Sequence, residues 1–378
     1  METKKKKICF IVSTPMTANA FLLNHFEALS NYYSICLVAN FDDTLEFDTH
    51  GKILKKHIPI NRKISILSDL RSLFHLYNFL DSEKFDAVHS VTPKAGLIGM
   101  LAAKLVSCPN RIHIFTGQVW SNKKGIIRFF LKQIDAFINN LTTCVLVDGN
   151  SQRLFLIKEK VVSENKSKVL GAGSISGVDH RKFKFDPLVK KELREKLDLN
   201  DDIVVFGYLG RLSLDKGLLD LAQAFRNINN RNKNTRLILV GPDEEYIKER
   251  VINIFGIEGI IFYGPTNMPS RIMQIFDIFC LPSYREGFGT SVIEASLLGL
   301  PIICSDTYGL MDTIQDGITG LRHKTKCIQD IENKMELLIN NQEYRLRLGR
   351  NGKQYVINNF LSEQITNEWV VFYRNLLN

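Results

Sequence analysis

The residues with the most chemical content lie in Glu286-Gly-Phe-Gly-Thr-Ser-Val-Ile-Glu294. A glycine-rich turn there opens a helix-forming stretch. Free backbone N–H groups and the positive end of a helix dipole make such a turn an anion site. Carboxylates flank the turn on both sides and would repel a bare phosphate. The pattern suits a ligand with hydroxyl groups on both sides of a diphosphate, the layout of a nucleotide sugar. A second cluster, Gly210-Arg211…Lys216, supplies the complementary charge. Glycine permits close backbone approach, and Arg211 and Lys216 can neutralise a diphosphate and stabilise its departure. The spacing does not fit G-x-x-x-x-G-K, so this is no P-loop.

The positioning elements follow from hydrophobic patterning. Glu286 comes after an apolar run ending at Leu281, and a second run, Pro301–Cys304, follows Gly299. That order predicts a βαβ unit of a parallel sheet. Further strands are predicted at Ile203–Tyr208, Arg236–Val240, Ile260–Tyr263 and Gly320–Arg322. In the first half, strands are predicted at Ile8–Val12, Ile35–Ala39, Phe85–His89, Arg111–Phe115, Cys144–Asp148 and Val169–Leu170. Helices are predicted at Ala20–Ser30 and Ser65–Leu80, the latter with Leu67, Leu70, Leu73, Phe74, Tyr77 and Leu80 on one side. Alternation of this kind predicts two doubly wound α/β domains. Ligands of such sheets gather at loops after strand carboxyl ends. Thr14–Phe21, His89–Lys94 and Thr116–Trp120 are therefore expected to line one cleft, with Thr14, Pro15, Thr17, Asn19, His89, Lys94, Thr116 and Gln118 as its candidate binding residues.

Gly171-Ala-Gly-Ser-Ile-Ser-Gly177 does not match a dinucleotide fingerprint and reads as an interdomain connection. The expected division is 1–175, 176–360 and a closing helix in 361–378. The chain has 378 residues and a net charge of +9. Residues 1–175 hold 23 Lys+Arg and 14 Asp+Glu, which is the whole excess. That asymmetry favours an anionic partner for the first half. The seven cysteines include no C-x-x-C pair and read as buried, reduced thiols. The apolar core after Lys4–Lys7 is too short for a signal peptide and reads as the first strand. No apolar run approaches the ~18 residues that span a bilayer. Lys123–Leu141 mixes large apolar residues with Lys123, Lys124, Arg128 and Lys132. An ordinary helix packing its apolar face on the domain is the simpler expectation. An interfacial membrane helix is the alternative.

Together these motifs resemble a family, the retaining family 4 glycosyltransferases of GT-B fold. Glu286 and Glu294 match its E-x7-E signature, Gly210-Arg211…Lys216 its G-R-x-x-x-x-K element, and Asp316-Gly317…Gly320 its late turn. His89-Ser-Val-Thr-Pro-Lys-Ala-Gly and Phe115-Thr-Gly-Gln-Val-Trp look like the bacterial branch that builds capsule, O-antigen or lipid-linked glycans on undecaprenyl diphosphate. The resemblance implies two Rossmann-like domains facing across a cleft. It implies that Arg211 and Lys216 hold the donor diphosphate, with Gly210 close by and Gly287, Phe288, Gly289, Thr290 and Ser291 offering backbone N–H groups. Glu286 would bind the donor sugar and Glu294 the ribose, with Gly264, Pro265 and Thr266 facing the base. Glu286, Arg211 and Lys216 would carry catalysis.

The implied reaction moves a hexose or N-acetylhexosamine from a UDP-sugar, UDP being favoured over GDP, with retention and without a metal or other cofactor. The acceptor would be a lipid diphosphate-linked saccharide bound by the first domain. The expected location is cytoplasmic, peripheral on the inner face of the bacterial plasma membrane, against an anionic surface. The first loop lacks the Gly-Gly of many family members, and Thr116 stands where many have histidine. A sugar-nucleotide epimerase on the same architecture is the alternative. A nucleic-acid partner rests only on Lys123–Phe137 and is not expected, because a membrane-borne acceptor accounts for the basic half.

Overall fold

The computed structural model describes residues 5–41, 51, 53–61 and 65–377. Lys4 of the N-terminal lysine run lies outside them. The described chain forms two compact units, one of residues 1–177 and 362–378, the other of residues 178–361.

In the first unit the strands are β1 Lys7–Ile11, β2 Ser34–Ala39, β3 Leu54–His57, β4 Ala87–Val91, β5 Asn110–Phe115, β6 Cys144–Val147 and β7 Ser167–Val169. They form a parallel sheet of order β3-β2-β1-β4-β5-β6-β7. Its helices are α1 Pro15–Phe21, α2 Leu23–Ser30, α3 Ile66–Glu83, α4 Pro93–Leu105, α5 Gly125–Leu141 and α6 Asn150–Lys158. In the second unit, α7 Pro187–Lys196 precedes β8 Val204–Leu209, α8 Leu218–Arg231, β9 Thr235–Val240, α9 Ile247–Phe255, β10 Ile260–Gly264, α10 Pro269–Ile272, β11 Ile278–Leu281, α11 Thr290–Leu297, β12 Ile302–Ser305, β13 Leu321–His323, α12 Ile328–Asn340 and α13 Gln342–Asn359. The second sheet has the order β10-β9-β8-β11-β12-β13. The last helix, α14 Ser362–Leu377, belongs to the first unit.

Three expectations change. Pro15, with its fixed φ, starts a helix at N1, so Thr17 and Asn19 lie on α1 rather than in a loop. The chain breaks at Leu22 before α2 resumes. The edge strand β3 was not foreseen, because Leu54-Lys-Lys-His57 is exposed throughout and carries no apolar pattern. The third change is the facing of α3 and α5. On α3 the buried residues are Ser72, Leu76 and Leu80, while Leu67, Leu70 and Phe74 are exposed. The Ser72 hydroxyl donates to the Pro59 and Ser68 carbonyls, fixing that side inward. On α5, Asp135, Ile138 and Leu141 face inward, while Ile126, Ile127, Phe129 and Phe130 are exposed. For α5, Ile138, Leu141 and the partly buried Leu131 pack on the domain as the simpler expectation has it, but most of its large apolar residues face outward.

One face of the first sheet is covered by α3, α4 and α5, whose inner residues share a core with β1, β4 and β6. The other face is covered by α1, α2 and α14. There Trp369 stacks between His25 and His89, with ring centroids 4.5 Å and 5.0 Å away, and Phe10 stacks beyond His89 at 5.2 Å. His25 bonds the Thr366 hydroxyl at 3.0 Å and the Ile175 carbonyl at 2.7 Å. Burial pushes the His25 imidazole down to about 4, with the Ile175 bond pulling it partly back. The unfolded chain takes up that proton near pH 6.5, so this stability is present above pH 6.5 and lost as pH falls toward 4. The expected loss from His25 alone is on the order of 1.4 kcal/mol per pH unit in that window. Denaturant titrations across it should show a shallower acid dependence in His25→Asn; an unchanged slope removes the assignment.

Candidate functional site

Strand order reverses beside β8, with β9 on one side and β11 on the other. The loops after β8 and β11 therefore open next to one another at a topological switch point. The Tyr208 hydroxyl, buried in the core, donates to the Arg211 carbonyl at 2.8 Å and shapes the first loop. The Tyr284 N–H donates to the Asp215 carbonyl at 2.8 Å, and Arg285 pairs with Asp215 at 2.9 Å. Burial opposes ionisation of Asp215, but Ser213, Lys216 and Arg285 hold its carboxyl below the usual range. At the centre the Lys216 ammonium meets the Glu286 carboxylate at 2.6 Å, each side chain 13% exposed. The Ser283 hydroxyl donates to the same carboxylate oxygen at 2.7 Å.

The second loop ends at Gly289, whose φ of +72° is left-handed. A Cβ there would lie 2.2 Å from the Leu310 side chain. Glycine lets the chain turn sharply into α11, leaving the N–H groups of its first residues, Thr290 and Ser291, without intrahelical acceptors. Phe288 turns away from the loop and packs edge-on against Phe360. Only its backbone remains for a ligand. Glu294 sits on α11, half-buried, and makes no side-chain hydrogen bond among the described residues. Burial pushes its carboxyl up to about 7, with Lys182 pulling it down. Arg211 is half-exposed and pairs with Glu244 at 2.5 Å. Pro265 and Thr266 follow β10 and line a cavity of about 610 Å³ with Tyr263, Met268 and Arg271. Lys216, Glu286 and Glu294 do not line it. Charge and free N–H groups converge in the loop cluster, which makes it the better anion site.

The first unit collects its candidates along the carboxyl edge of its sheet. Ser13 and Thr92 hydroxyls meet at 3.1 Å, linking the loops after β1 and β4. Several candidates are committed internally. His89 is fully buried and bonds the Tyr373 hydroxyl at 2.7 Å, so it serves the core rather than a ligand. His113, equally buried, bonds Ser90 at 2.8 Å. Pro15 is buried. Lys94 pairs with Asp69 at 2.7 Å. The buried Gln118 amide donates to the Thr116 carbonyl at 2.7 Å. Thr14, Thr17, Asn19 and Thr116 stay partly exposed.

Two residues on this edge escaped sequence reasoning. Gln152 of α6 donates to the Thr116 carbonyl at 2.8 Å, joining the loops after β5 and β6. Asp148 directly follows β6 and is buried, and one of its carboxyl oxygens lacks a hydrogen-bond partner. Burial pushes its carboxyl up to about 8. Its signal in the sequence was an acid closing an apolar strand at the edge where ligands bind.

Two doubly wound α/β units, one with an anion-binding loop pair at its switch point, define the GT-B class. Its solved members include the complex of Anabaena HepE with UDP and glucose, which matches 98% of this chain and 100% of that one at a TM-score of 0.82 and 18% identity. The family model described as "Glycosyl transferases group 1" matches residues 189–355. The Staphylococcus aureus capsular polysaccharide biosynthesis glycosyltransferase CapM is 33% identical over 86% of this chain and 88% of its own length. An Escherichia coli UDP-Gal:alpha-D-GlcNAc-diphosphoundecaprenol alpha-1,3-galactosyltransferase is 28% identical over 94% and 93%. The chain belongs to the group 1 glycosyltransferases.

The raised carboxyl of Asp148 makes a stability prediction. The unfolded carboxyl ionises near pH 4 and the folded one near 8. Its contribution is therefore full below pH 4 and lost as pH rises through 8. Asp148→Asn is expected to flatten that decline and to raise the melting temperature above pH 8. A variant that melts lower than wild type at pH 9 would contradict it.

Proposed function

We propose that the chain transfers a hexose or N-acetylhexosamine from a UDP-sugar, with retention, to a saccharide carried on a lipid diphosphate such as undecaprenyl diphosphate, in bacterial surface polysaccharide synthesis. The observation that carries the reading is the Lys216–Glu286 pair beside the open N-terminus of α11, with the Glu294 carboxyl, unpartnered among the described residues, further along that helix. The names of the S. aureus and E. coli relatives support the polysaccharide setting and the lipid diphosphate acceptor. The UDP bound to HepE supports the choice of nucleotide.

In this reading the donor diphosphate sits on the α11 N–H groups. The Lys216 ammonium has three donors and spends one on Glu286, so it can span the sugar-binding carboxylate and a phosphate oxygen. Arg211 adds charge at the exposed side. As the glycosidic bond breaks, negative charge grows on the departing phosphate, where these donors already point. No metal ion is needed in this scheme. Glu286 accepts from donor-sugar hydroxyls and Glu294 from the ribose. Gly264, Pro265 and Thr266 face the base. The first unit presents the acceptor, with Thr14, Thr17, Asn19 and Thr116 as its remaining candidates. A lipid-borne acceptor places the enzyme at the inner face of the plasma membrane.

The test is UDP release from UDP-GlcNAc, UDP-GalNAc, UDP-Gal and UDP-Glc with a lipid diphosphate-linked saccharide, with the anomeric configuration of the product read by NMR. Absence of turnover with every donor, together with absence of UDP binding, would overturn the reading. An altered sugar nucleotide formed without acceptor would instead mark an epimerase. Glu294→Ala is expected to weaken UDP binding roughly tenfold or more, the worth of a hydrogen bond to a charged acceptor. Unchanged UDP affinity would remove Glu294 from the ribose. Glu286→Ala is expected to lower kcat by roughly a hundredfold or more while UDP binding changes little. Equal losses in both quantities would contradict its role at the sugar.

A further inference from the structure

The outward faces of α3 and α5 repeat one pattern. On α3 the exposed apolar residues are Ile66, Leu67, Leu70, Phe74 and Tyr77. On α5 they are Ile126, Ile127, Phe129, Phe130, Ile134 and Phe137. Apart from Phe129, the two sets share the same offsets along the helix, and both begin within the first two residues of their helix. At 100° per residue these offsets gather into one stripe along each helix. The two helices flank α4 on one face of the first sheet, each packed against it. Because both follow parallel strands, their N-terminal ends lie toward the carboxyl edge of that sheet, where the candidate acceptor residues collect. Exposing this many large apolar side chains to water is unfavourable unless something covers them.

Charge selects the occupant. Between Asp86 and Asp135 the sequence has no acidic residue and seven basic ones. Lys123 and Lys124 are exposed at the start of α5, and Arg71 is exposed on α3. A protein partner would need an apolar face with matching negative charge. An anionic lipid surface supplies both, acyl chains for the stripes and headgroups for the lysines. Among the described residues no helix is long and apolar enough to cross a membrane, which suits contact along the surface. We infer that α3 and α5 form a two-helix docking face on which the first unit lies against an anionic bilayer. This deepens the reading above, in which the acceptor is lipid-borne.

The test is co-flotation of the full chain with vesicles of phosphatidylglycerol and phosphatidylcholine, and with vesicles of phosphatidylcholine alone. Wild type should float with the anionic vesicles. Leu70→Ser/Phe74→Ser on α3 and Phe130→Ser/Phe137→Ser on α5 should each reduce partitioning roughly tenfold or more. Lys123→Glu/Lys124→Glu should abolish the preference for anionic vesicles. An unchanged melting temperature will show that these exposed substitutions leave the fold intact. Wild type remaining in solution, or either serine pair floating like wild type, would overturn the inference. So would a wild-type dimer that the serine pairs convert to monomer, which would make the face a contact between copies. UDP release onto a water-soluble short-chain acceptor separates this inference from the catalytic one. Flotation without turnover of any donor leaves docking standing and removes the proposed reaction. Turnover without flotation does the reverse.

Discussion

An ammonium and a carboxylate held 2.6 Å apart, largely out of water, set the central constraint on the candidate site of the second unit. Each ion loses hydration there and is tolerable only because the other is present. The pair therefore fixes where the loops after β8 and β11 must meet. Arg285, Asp215 and Tyr284 reinforce the same junction. Removing either member of the central pair would strand the other charge, at a cost of about 3–5 kcal/mol. The arrangement stores unused donors on Lys216 and in the first turn of α11.

The first unit is built differently. Its carboxyl edge is tied by neutral contacts, Ser13 to Thr92, Gln118 to Thr116 and Gln152 to Thr116, alongside the Lys94–Asp69 ion pair. Thr92 holds φ at +77°, a region that β-branched residues avoid. Strain and a buried acid with one carboxyl oxygen lacking a hydrogen-bond partner, both at one sheet edge, are the marks of a surface shaped for something other than stability.

The two loop motifs of the second unit were legible because they are local. Glu286 and Glu294 lie on one turn and one helix, and Gly210 to Lys216 on one loop, so spacing alone places them. The two parallel sheets were legible because strands buried on both faces read as apolar runs. The fates of His89 and Gln118 were not. Each lies where a ligand-binding residue could lie, and only tertiary partners, Tyr373 and the Thr116 carbonyl, turn them inward. The facing of α3 and α5 was illegible for another reason. Both helices carry apolar residues on two sides, and periodicity cannot tell which side meets the sheet. Ser72 and Asp135, polar residues on the buried sides, were the available clue.

The path of α14 has a consequence for biosynthesis. The core on one face of the first sheet includes Ile365, Trp369, Tyr373 and Leu377, which follow the whole of the second unit in the sequence. The strands of the first unit are synthesised before the second unit yet cannot close that core until the α14 segment has been made. The second unit, residues 178–361, has its whole sequence available earlier. Maturation thus runs against the usual N-to-C order. A nascent chain paused before Ser362 holds a finished second unit and an open first one, with the faces of Phe10, His25 and His89 bare.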